Sequence, residues 1–239
     1  MKYLITDYDG VLIRTEFAKA AGWYIAALYM RDVLDSKLIE GLKSGLEDAI
    51  SIVERDCEEQ KEIEKVTALA GMSQDATRDA VADLFLEKEY ERYGKEQTRE
   101  KLREIRNGIK NVIINAMGRP IEGNIKFFRE ARKSGLELGL VTQTTSKDVV
   151  EQGKRFSDLH IDMFSYMECA GDEFYKKMGK DDGYRPRIDK KAVAYACICK
   201  RMNINPFETV AFEDSASGID AANAVGIVSI GVKDECNTQ

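Results

Sequence analysis

Histidine is almost missing from this chain, which contains His160 and no second histidine. A catalytic triad that relies on a histidine base, or a zinc site built from several histidines, is therefore nearly excluded. Cysteine occurs five times, but no two cysteines are separated by the two residues that are typical of metal and redox pairs. We interpret all five as reduced thiols, which is typical of a cytoplasmic protein.

Long apolar runs and an excess of positive charge are missing as well. No stretch approaches the about 20 apolar residues of a membrane-spanning helix. Acidic residues interrupt the opening MKYLITDYDG where a secretory signal would stay apolar. The net charge of −6 argues against a nucleic-acid partner, although a local positive charge could still bind an anionic substrate. We therefore expect a cytoplasmic protein that binds neither membranes nor nucleic acids, while no pattern indicates its oligomeric state.

Proline is missing from residues 16–118, and this stretch is predicted to be helical almost throughout. Within REKLREIRNGIKNVIINAM, Leu102, Ile105, Ile109 and Ile113 recur at spacings of three and four residues. This spacing places them on one face of a helix, which would pack against neighbouring helices. The sequence thus predicts an all-helical domain at residues 16–118.

Outside that stretch, short apolar segments alternate with helical patterns. The predicted strands are KYLIT at the start and LELGLVT, MFSYMEC, TVAF and IVSIGV in the second half. Strands that alternate with helices form a parallel sheet with helices on its faces. We therefore predict an α/β fold. Its Rossmann-like parallel sheet core is formed by residues 1–15 and 119–239, and the all-helical domain is inserted after the first strand.

The residues at the carboxyl ends of these strands are polar, and this is the edge where parallel sheets bind ligands. Asp7 and Asp9 follow the first strand, Thr142 ends the second, and Asp214 follows the fourth. Two carboxylates this close would repel each other without a cation, and oxygen ligands favour Mg²⁺. Asp7 and Asp214 could share the ion. Asp7 could then stay ionised as a nucleophile, and Asp9 could exchange protons with a leaving group and with water. The chain bends at Gly10, where backbone N–H groups could face phosphate oxygens.

Some of these residues allow simpler interpretations. DYDG could begin a calcium-binding loop, but its glycine stands fourth, whereas that loop needs a glycine at its sixth position. Thr142 alone could cap the helix that follows it. Near the end of the chain, Asp189 is predicted to cap the helix that begins at residue 190, and Ser217 with Asp220 resembles a capping pair.

Three segments together carry a family resemblance: TDYDGVL after the first strand, LVTQT after the second and VAFEDSASGIDAANAVGI near the end. They resemble the haloacid dehalogenase (HAD) superfamily, in its helical-cap branch of phosphoglucomutase-like and phosphoglycolate phosphatase-like proteins. The resemblance implies a Mg²⁺-dependent phosphatase that hydrolyses a small phosphorylated metabolite through an aspartyl-phosphate intermediate, with the helical domain as its cap. The alternatives are a phosphosugar mutase of the same superfamily and a catalytically silent HAD-like binding domain.

The resemblance also implies roles for individual residues. Asp7 would be the nucleophile, Asp9 would be the general acid and then the base, and Thr142 would donate a hydrogen bond to the phosphoryl group. Asp214 would bind Mg²⁺ together with Asp7 and the carbonyl group of Asp9, with Glu213 beside it. The residues expected to contact the substrate are Gly10, Gln143 and Arg185.

The superfamily further expects a lysine beside the nucleophile, and here the chain departs from a common pattern. Where relatives carry K-P-x-P-D, this chain has RPRID, with Arg185 in the lysine position. Lys191 opens the segment KAVAYACICKRM and resembles another form of the family, in which the lysine begins the helix. We predict that Lys191 takes this role, because a helix start at this sheet edge would hold a compact point charge in place. Lys190 and Arg185 are the alternatives.

Overall fold

The structure of the protein is a computed structural model that describes residues 2–31, 64–66, 68–69, 74–156, 159–178 and 189–233. The chain divides into two compact units. One unit, which we call the α/β core, comprises Met1–Arg14 and Arg119–Gln239, and the other, the helical insert, comprises Thr15–Gly118. These limits differ by one residue, at the first junction, from the predicted domain limits. The predicted substrate residue Arg185 lies outside the described residues.

The described residues of the core contain the strands β1 (Tyr3–Thr6), β2 (Ile13–Arg14), β3 (Arg119–Pro120), β4 (Glu137–Thr142), β5 (Tyr166–Cys169), β6 (Thr209–Glu213) and β7 (Val228–Gly231). The described α-helices of the insert are α1 (Glu16–Met30), α2 (Gln74–Phe85), α3 (Glu87–Tyr93) and α4 (Lys95–Met117). Those of the core are α5 (Glu122–Lys133), α6 (Ser146–Arg155), α7 (Glu173–Met178), α8 (Lys190–Met202) and α9 (Ala216–Ala224).

Five strands of the core form one parallel sheet, in the order β5-β4-β1-β6-β7. β1 is the central strand, with Thr6 beside Leu140 of β4 and Phe212 of β6. The carboxyl ends of β1, β4 and β6 therefore lie side by side. β2 and β3 form a separate antiparallel pair, and the chain passes into the insert after β2 and returns in β3. The predicted α/β fold with a helical insert is confirmed.

Helices cover both faces of the sheet, as the unbroken apolar character of β1 requires. Successive side chains of a strand point to opposite faces. Leu4 accordingly belongs to a buried cluster with Phe128 of α5, and Ile5 belongs to another cluster with Ile198 of α8. Neither Leu4 nor Ile5 is more than 1% exposed, so the strand that carries the polar residues at its end is fixed on both sides.

The helical insert has an apolar cluster of its own. Trp23 of α1 packs in it with Leu102, Ile109 and Ile113 of α4, and these three isoleucine and leucine side chains are fully buried. Ile105 is partly buried against the same cluster. The spacing seen in the sequence therefore predicted the buried face of α4 correctly.

Among the described cysteines, Cys169, Cys197 and Cys199 are free thiols, in agreement with the prediction for these three. No helix in the described part of the chain is both long enough and apolar enough to cross a membrane.

Candidate active site

Asp7 is the first residue after the central strand, and its side chain is 8% exposed. Its backbone N–H still donates to the carbonyl of Phe212 at 2.9 Å, so the sheet fixes the backbone at this point. One carboxylate oxygen, Oδ1, accepts a hydrogen bond from the N–H of Tyr8 at 2.7 Å. The other, Oδ2, accepts one from the Nζ of Lys191. The carboxylate is thus held in one orientation at the centre of the sheet edge.

A tight turn follows, and it requires glycine at position 10. Gly10 has a φ of +73°, and a Cβ atom there would lie 1.8 Å from Oδ2 of Asp214, closer than atoms can approach. The turn brings the chain after β1 directly against the end of β6. The N–H of Gly10 donates to the carbonyl of Ile13 at 2.8 Å, within the turn. The N–H of Gly10 therefore has a partner inside the turn, and the contact of Gly10 with substrate stays a prediction.

Lys191 lies at the start of α8, next to Asp7. The Asp189 side chain caps this helix, as predicted, and accepts hydrogen bonds from the N–H groups of Lys191 at 2.8 Å and Ala192 at 3.3 Å. The Nζ of Lys191 donates to Asp7 and, at 2.8 Å, to Oε2 of Glu213. The lysine side chain is 3% exposed. Burial by itself would lower the pKa of Lys191, but Asp7 and Glu213 outweigh it and raise that pKa, so the lysine is charged.

Glu213, the last residue of β6, is fully buried behind this lysine. Its Oε1 accepts a hydrogen bond from the hydroxyl of Tyr195. Gly218 leaves room for the carboxylate, since a Cβ there would lie 1.9 Å from Oε2. Burial and the nearby charge of Asp7 raise the pKa of Glu213 to about 8, against the opposing effects of Lys191 and Tyr195. Glu213 thus accepts a hydrogen bond from Lys191 in a fully buried position.

Tyr195 was not among the residues singled out from the sequence. It stands four residues after Lys191, and residues four apart lie on the same face of a helix. Once α8 is placed with Lys191 at the sheet edge, the same spacing brings the tyrosine hydroxyl to Glu213. The signal was present in KAVAYACICKRM, but it depended on knowing which face of α8 meets the sheet.

Carboxylate oxygens of Asp7, Glu213 and Asp214 all lie within 4.8 Å of one another. Lys191 supplies one positive charge to this group, which leaves an excess of negative charge that a cation would offset. Oxygen ligands of this kind suit a hard divalent ion such as Mg²⁺. Of the predicted metal ligands, Asp7 and Asp214 are therefore brought together. The carboxylate of Asp9 is directed elsewhere, towards the loop after β4.

That loop begins at Thr142, which is 1% exposed. Thr142 does not cap α6: its Oγ1 accepts a hydrogen bond from the N–H of Thr144 at 3.1 Å, and the helix is capped by Thr145. Gln143 is exposed at the sheet edge. Thr144 is 7% exposed, and its hydroxyl donates to Oδ2 of Asp9 at 2.7 Å. The sequence placed Thr144 at the strand end but gave it no role.

Lys190 is half-buried next to Lys191, and its Nζ makes no hydrogen bond to Asp7 or Glu213 in the described part of the core.

The predicted cap at Ser217 was wrong, because the side chain of Ser215 caps α9 by accepting from the N–H of Gly218 at 3.1 Å. The helix begins two residues earlier than the sequence suggested, since Ser215 directly follows Asp214 at the strand end.

Comparisons with known proteins agree with this arrangement. Residues 1–226 match the haloacid dehalogenase-like hydrolase family. A phosphorylated carbohydrates phosphatase from Thermotoga maritima is 33% identical over 95 residues, which cover 40% of this chain and only 38% of that protein.

Solved structures share the fold over almost the whole chain. A haloacid dehalogenase-like family hydrolase from Streptococcus pneumoniae superposes with a TM-score of 0.60 at 13% identity, covering 99% of this chain and 89% of that one. A β-phosphoglucomutase from Clostridium difficile gives 0.54 at 17% identity, covering 99% and 86%. At such identities the likeness concerns the fold alone. Because the family match extends over residues 1–226, this chain belongs to the haloacid dehalogenase-like hydrolases, in the branch whose parallel sheet carries a helical insert.

Proposed function

We propose that this hydrolase is a Mg²⁺-dependent phosphatase that removes the phosphoryl group from a small phosphorylated metabolite. The observation that supports this most strongly is the buried contact of Lys191 with Asp7 at the end of the central strand. A carboxylate that is oriented by a buried lysine, beside a cluster of further carboxylates, suits attack on an anionic phosphorus centre. The positive charge draws the phosphoryl group towards the nucleophile and offsets the charge that develops on transfer.

In this proposal Asp7 attacks phosphorus through a carboxylate oxygen, and the bond between phosphorus and the leaving oxygen breaks. Asp9 gives its proton to that leaving oxygen. Asp9 then takes a proton from a water molecule, which attacks the phosphorus of the aspartyl-phosphate. The bond to Asp7 breaks, inorganic phosphate is released, and Asp7 is restored. Thr142 donates a hydrogen bond to the phosphoryl oxygens, and Lys191 keeps its contact with Asp7 throughout.

Asp7, Asp214 and the backbone carbonyl of Asp9 would hold the Mg²⁺ ion. When bound, the ion would offset the negative charge of the phosphoryl group and of the carboxylates around it. Gln143 and Arg185 remain candidates for contact with the rest of the substrate. Gln143 is exposed at the sheet edge.

For the substrate class, we propose a phosphorylated carbohydrate. The support is the similarity to the phosphorylated carbohydrates phosphatase from Thermotoga maritima, whose matching segment covers 40% of this chain. A sugar leaves as an alkoxide, which is a poor leaving group, so the reaction needs the proton that Asp9 supplies.

The test is release of inorganic phosphate from a panel of sugar phosphates and from p-nitrophenyl phosphate, each with Mg²⁺ and with EDTA. Asp7→Asn should abolish turnover, because an amide is not a nucleophile for phosphorus. Asp162→Asn is the matched control, since this aspartate is 87% exposed and its ion pair with His160, at 3.8 Å, involves no residue of the proposed site. The control should retain the activity of the unmodified protein.

Full activity of Asp7→Asn would exclude an aspartyl-phosphate mechanism. Conversion of one sugar phosphate into an isomer, with no release of inorganic phosphate, would identify a phosphosugar mutase. Absence of both activities over the whole panel would favour a binding domain without catalysis.

A further inference from the structure

The hydrogen bond between Thr144 and Asp9 joins two segments that are 135 residues apart in the chain. Asp9 is carried by the turn after β1, and Thr144 is carried by the loop after β4. The donor is the hydroxyl group of Thr144, a residue that is 7% exposed, and the acceptor is the carboxylate Oδ2 at 2.7 Å. A short bond from a buried hydroxyl to a carboxylate restricts the rotation of both side chains.

The loop that carries Thr144 is held firmly from two directions. Inside the loop, the N–H of Thr144 donates to Oγ1 of Thr142 at 3.1 Å. From the turn after β5, the carboxylate of Asp172 accepts a hydrogen bond from the N–H of Ser146 at 2.8 Å. Gly171 lies so close that a Cβ there would be 2.4 Å from the carbonyl oxygen of Gln143. These contacts hold the backbone of Thr144 in place, so its hydroxyl group can restrict the orientation of the Asp9 carboxylate.

We propose that Thr144 is a positioning residue for Asp9, and that it keeps the Asp9 carboxylate at the distance and angle from the leaving oxygen that proton transfer needs. This inference rests on the proposed function, in which Asp9 gives and takes the proton. Without this contact, the Asp9 carboxylate loses one of the restraints on its orientation. A less precisely placed carboxylate transfers the proton more slowly, because misplacement by about 1 Å can cost 10²-fold in rate.

The alternative is that Thr144 only stabilises the loop after β4. The two roles differ in their dependence on the leaving group. p-Nitrophenolate leaves without a proton, whereas the alkoxide of a sugar or of glycerol requires one. A residue that acts through Asp9 should therefore affect an alkyl phosphate much more than p-nitrophenyl phosphate, and a residue that only stabilises the loop should affect both equally.

The experiment compares Thr144→Val, which removes the hydroxyl at nearly constant volume, with Thr144→Ser, which keeps it. With an alkyl phosphate, Thr144→Val should lower kcat by about 10- to 100-fold with little change in KM, as expected for a misplaced catalytic group. Thr144→Ser should restore most of the loss. The release of nitrophenolate in a single turnover of p-nitrophenyl phosphate should change much less.

A double-mutant cycle tests whether the effect passes through Asp9. In the Asp9→Asn background, Thr144→Val should cause no further loss in the single-turnover cleavage of the alkyl phosphate. Thr145→Val is the control for loop stability, because Thr145 caps α6 by accepting from the N–H of Asp148 at 3.2 Å. It should lower the melting temperature without any dependence on the leaving group.

The proposal is overturned if Thr144→Val slows alkyl and aryl phosphates equally, or if Thr144→Ser loses as much as Thr144→Val. If the unmodified protein hydrolyses no phosphate ester, the proposed function has failed, and the positioning role is then decided by crystal structures. One orientation of the Asp9 carboxylate in the unmodified protein and several in Thr144→Val would support it, while the same single orientation in both would overturn it.

Discussion

The contacts of Lys191 with the side chains of Asp7 and Glu213 are strengthened by their burial. In water the Lys191 charge would interact weakly with Asp7, but here its side chain is 3% exposed, and Glu213 is fully buried beside it. The low local dielectric strengthens both contacts. Desolvation of these buried groups opposes that gain, so the cluster is weak support for stability by itself. Its value for function is that the positive charge is already in place before a phosphate arrives.

We expect Lys191→Ala to lower kcat by about 10²-fold or more, because a preorganised electrostatic contact is lost. The melting temperature should fall as well, since breaking a buried charge pair leaves the carboxylates of Asp7 and Glu213 without their cation. Lys190→Ala is the matched control and should change neither quantity much. Steady-state kinetics on one substrate and thermal denaturation measure both effects.

The assignment of Lys191 can be contradicted by the same assay when it is applied to Arg185→Ala. Arg185→Ala should act mainly on KM if this arginine contacts the substrate. If Arg185→Ala or Lys190→Ala loses kcat while Lys191→Ala keeps it, the assignment of Lys191 is wrong.

At the scale of the element, the start of α8 determines where the lysine lies. Asp189 caps the helix through the N–H groups of Lys191 and Ala192, so the backbone of the lysine is bonded to the cap itself. α8 also contributes Ile198 to the apolar cluster below the sheet, which fixes the helix along its length. The backbone that carries Lys191 is therefore held by the cap at the start of α8 and by the packing of the helix against the sheet.

Asp189→Ala should lower the free energy of unfolding by about 1 kcal/mol, the usual cost of removing a cap. It should also lower kcat, because fraying of the first turn moves Lys191 away from Asp7. Asp189→Asn keeps an oxygen acceptor and should retain most of both quantities. Urea denaturation and kcat for the two variants provide the comparison. An asparagine variant as impaired as the alanine variant would show that the charge of Asp189 matters and its capping geometry does not.

At the scale of the whole molecule, the acidic cluster gathers residues from the two ends of the chain. Asp7 lies near the start, Asp214 lies near the end, and Glu213 completes the group. Such a cluster exists only in the folded protein, since the unfolded chain separates Asp7 from Asp214 by about two hundred residues. A cation that binds the cluster must therefore stabilise the fold.

We expect Mg²⁺ to raise the melting temperature, by an amount that corresponds to about 2.7 kcal/mol at a hundredfold excess over its dissociation constant. EDTA should reverse the shift. Asp214→Asn should reduce the shift strongly while the fold is retained, as judged by circular dichroism. Beryllofluoride with Mg²⁺, which mimics an aspartyl-phosphate, should raise the melting temperature further in the unmodified protein but not in Asp7→Asn. No response of the unmodified protein to either addition would contradict the metal site.

The sequence by itself determined the parallel sheet, the helical insert and the residues at the strand ends. These features follow from short-range patterns, because apolar strands such as that around Leu4 and Ile5 must be buried on both faces. Parallel strands place their carboxyl ends along one edge. Asp7, Thr142 and Asp214 therefore lie at that edge whatever the order of the strands and the details of packing.

Only the tertiary structure decided which groups touch. It placed Lys191 against Asp7, brought Tyr195 to Glu213 and paired Thr144 with Asp9. The first and the third of these contacts join elements more than a hundred residues apart in the chain, and all three depend on the rotation of a helix or the path of a loop. Such rotations are set by side-chain packing over the whole core, where shifts of an ångström decide whether a hydrogen bond forms. Local spacing carries no information at that precision. The sequence therefore predicted which residue types lie at the sheet edge, but not which of them form hydrogen bonds with one another.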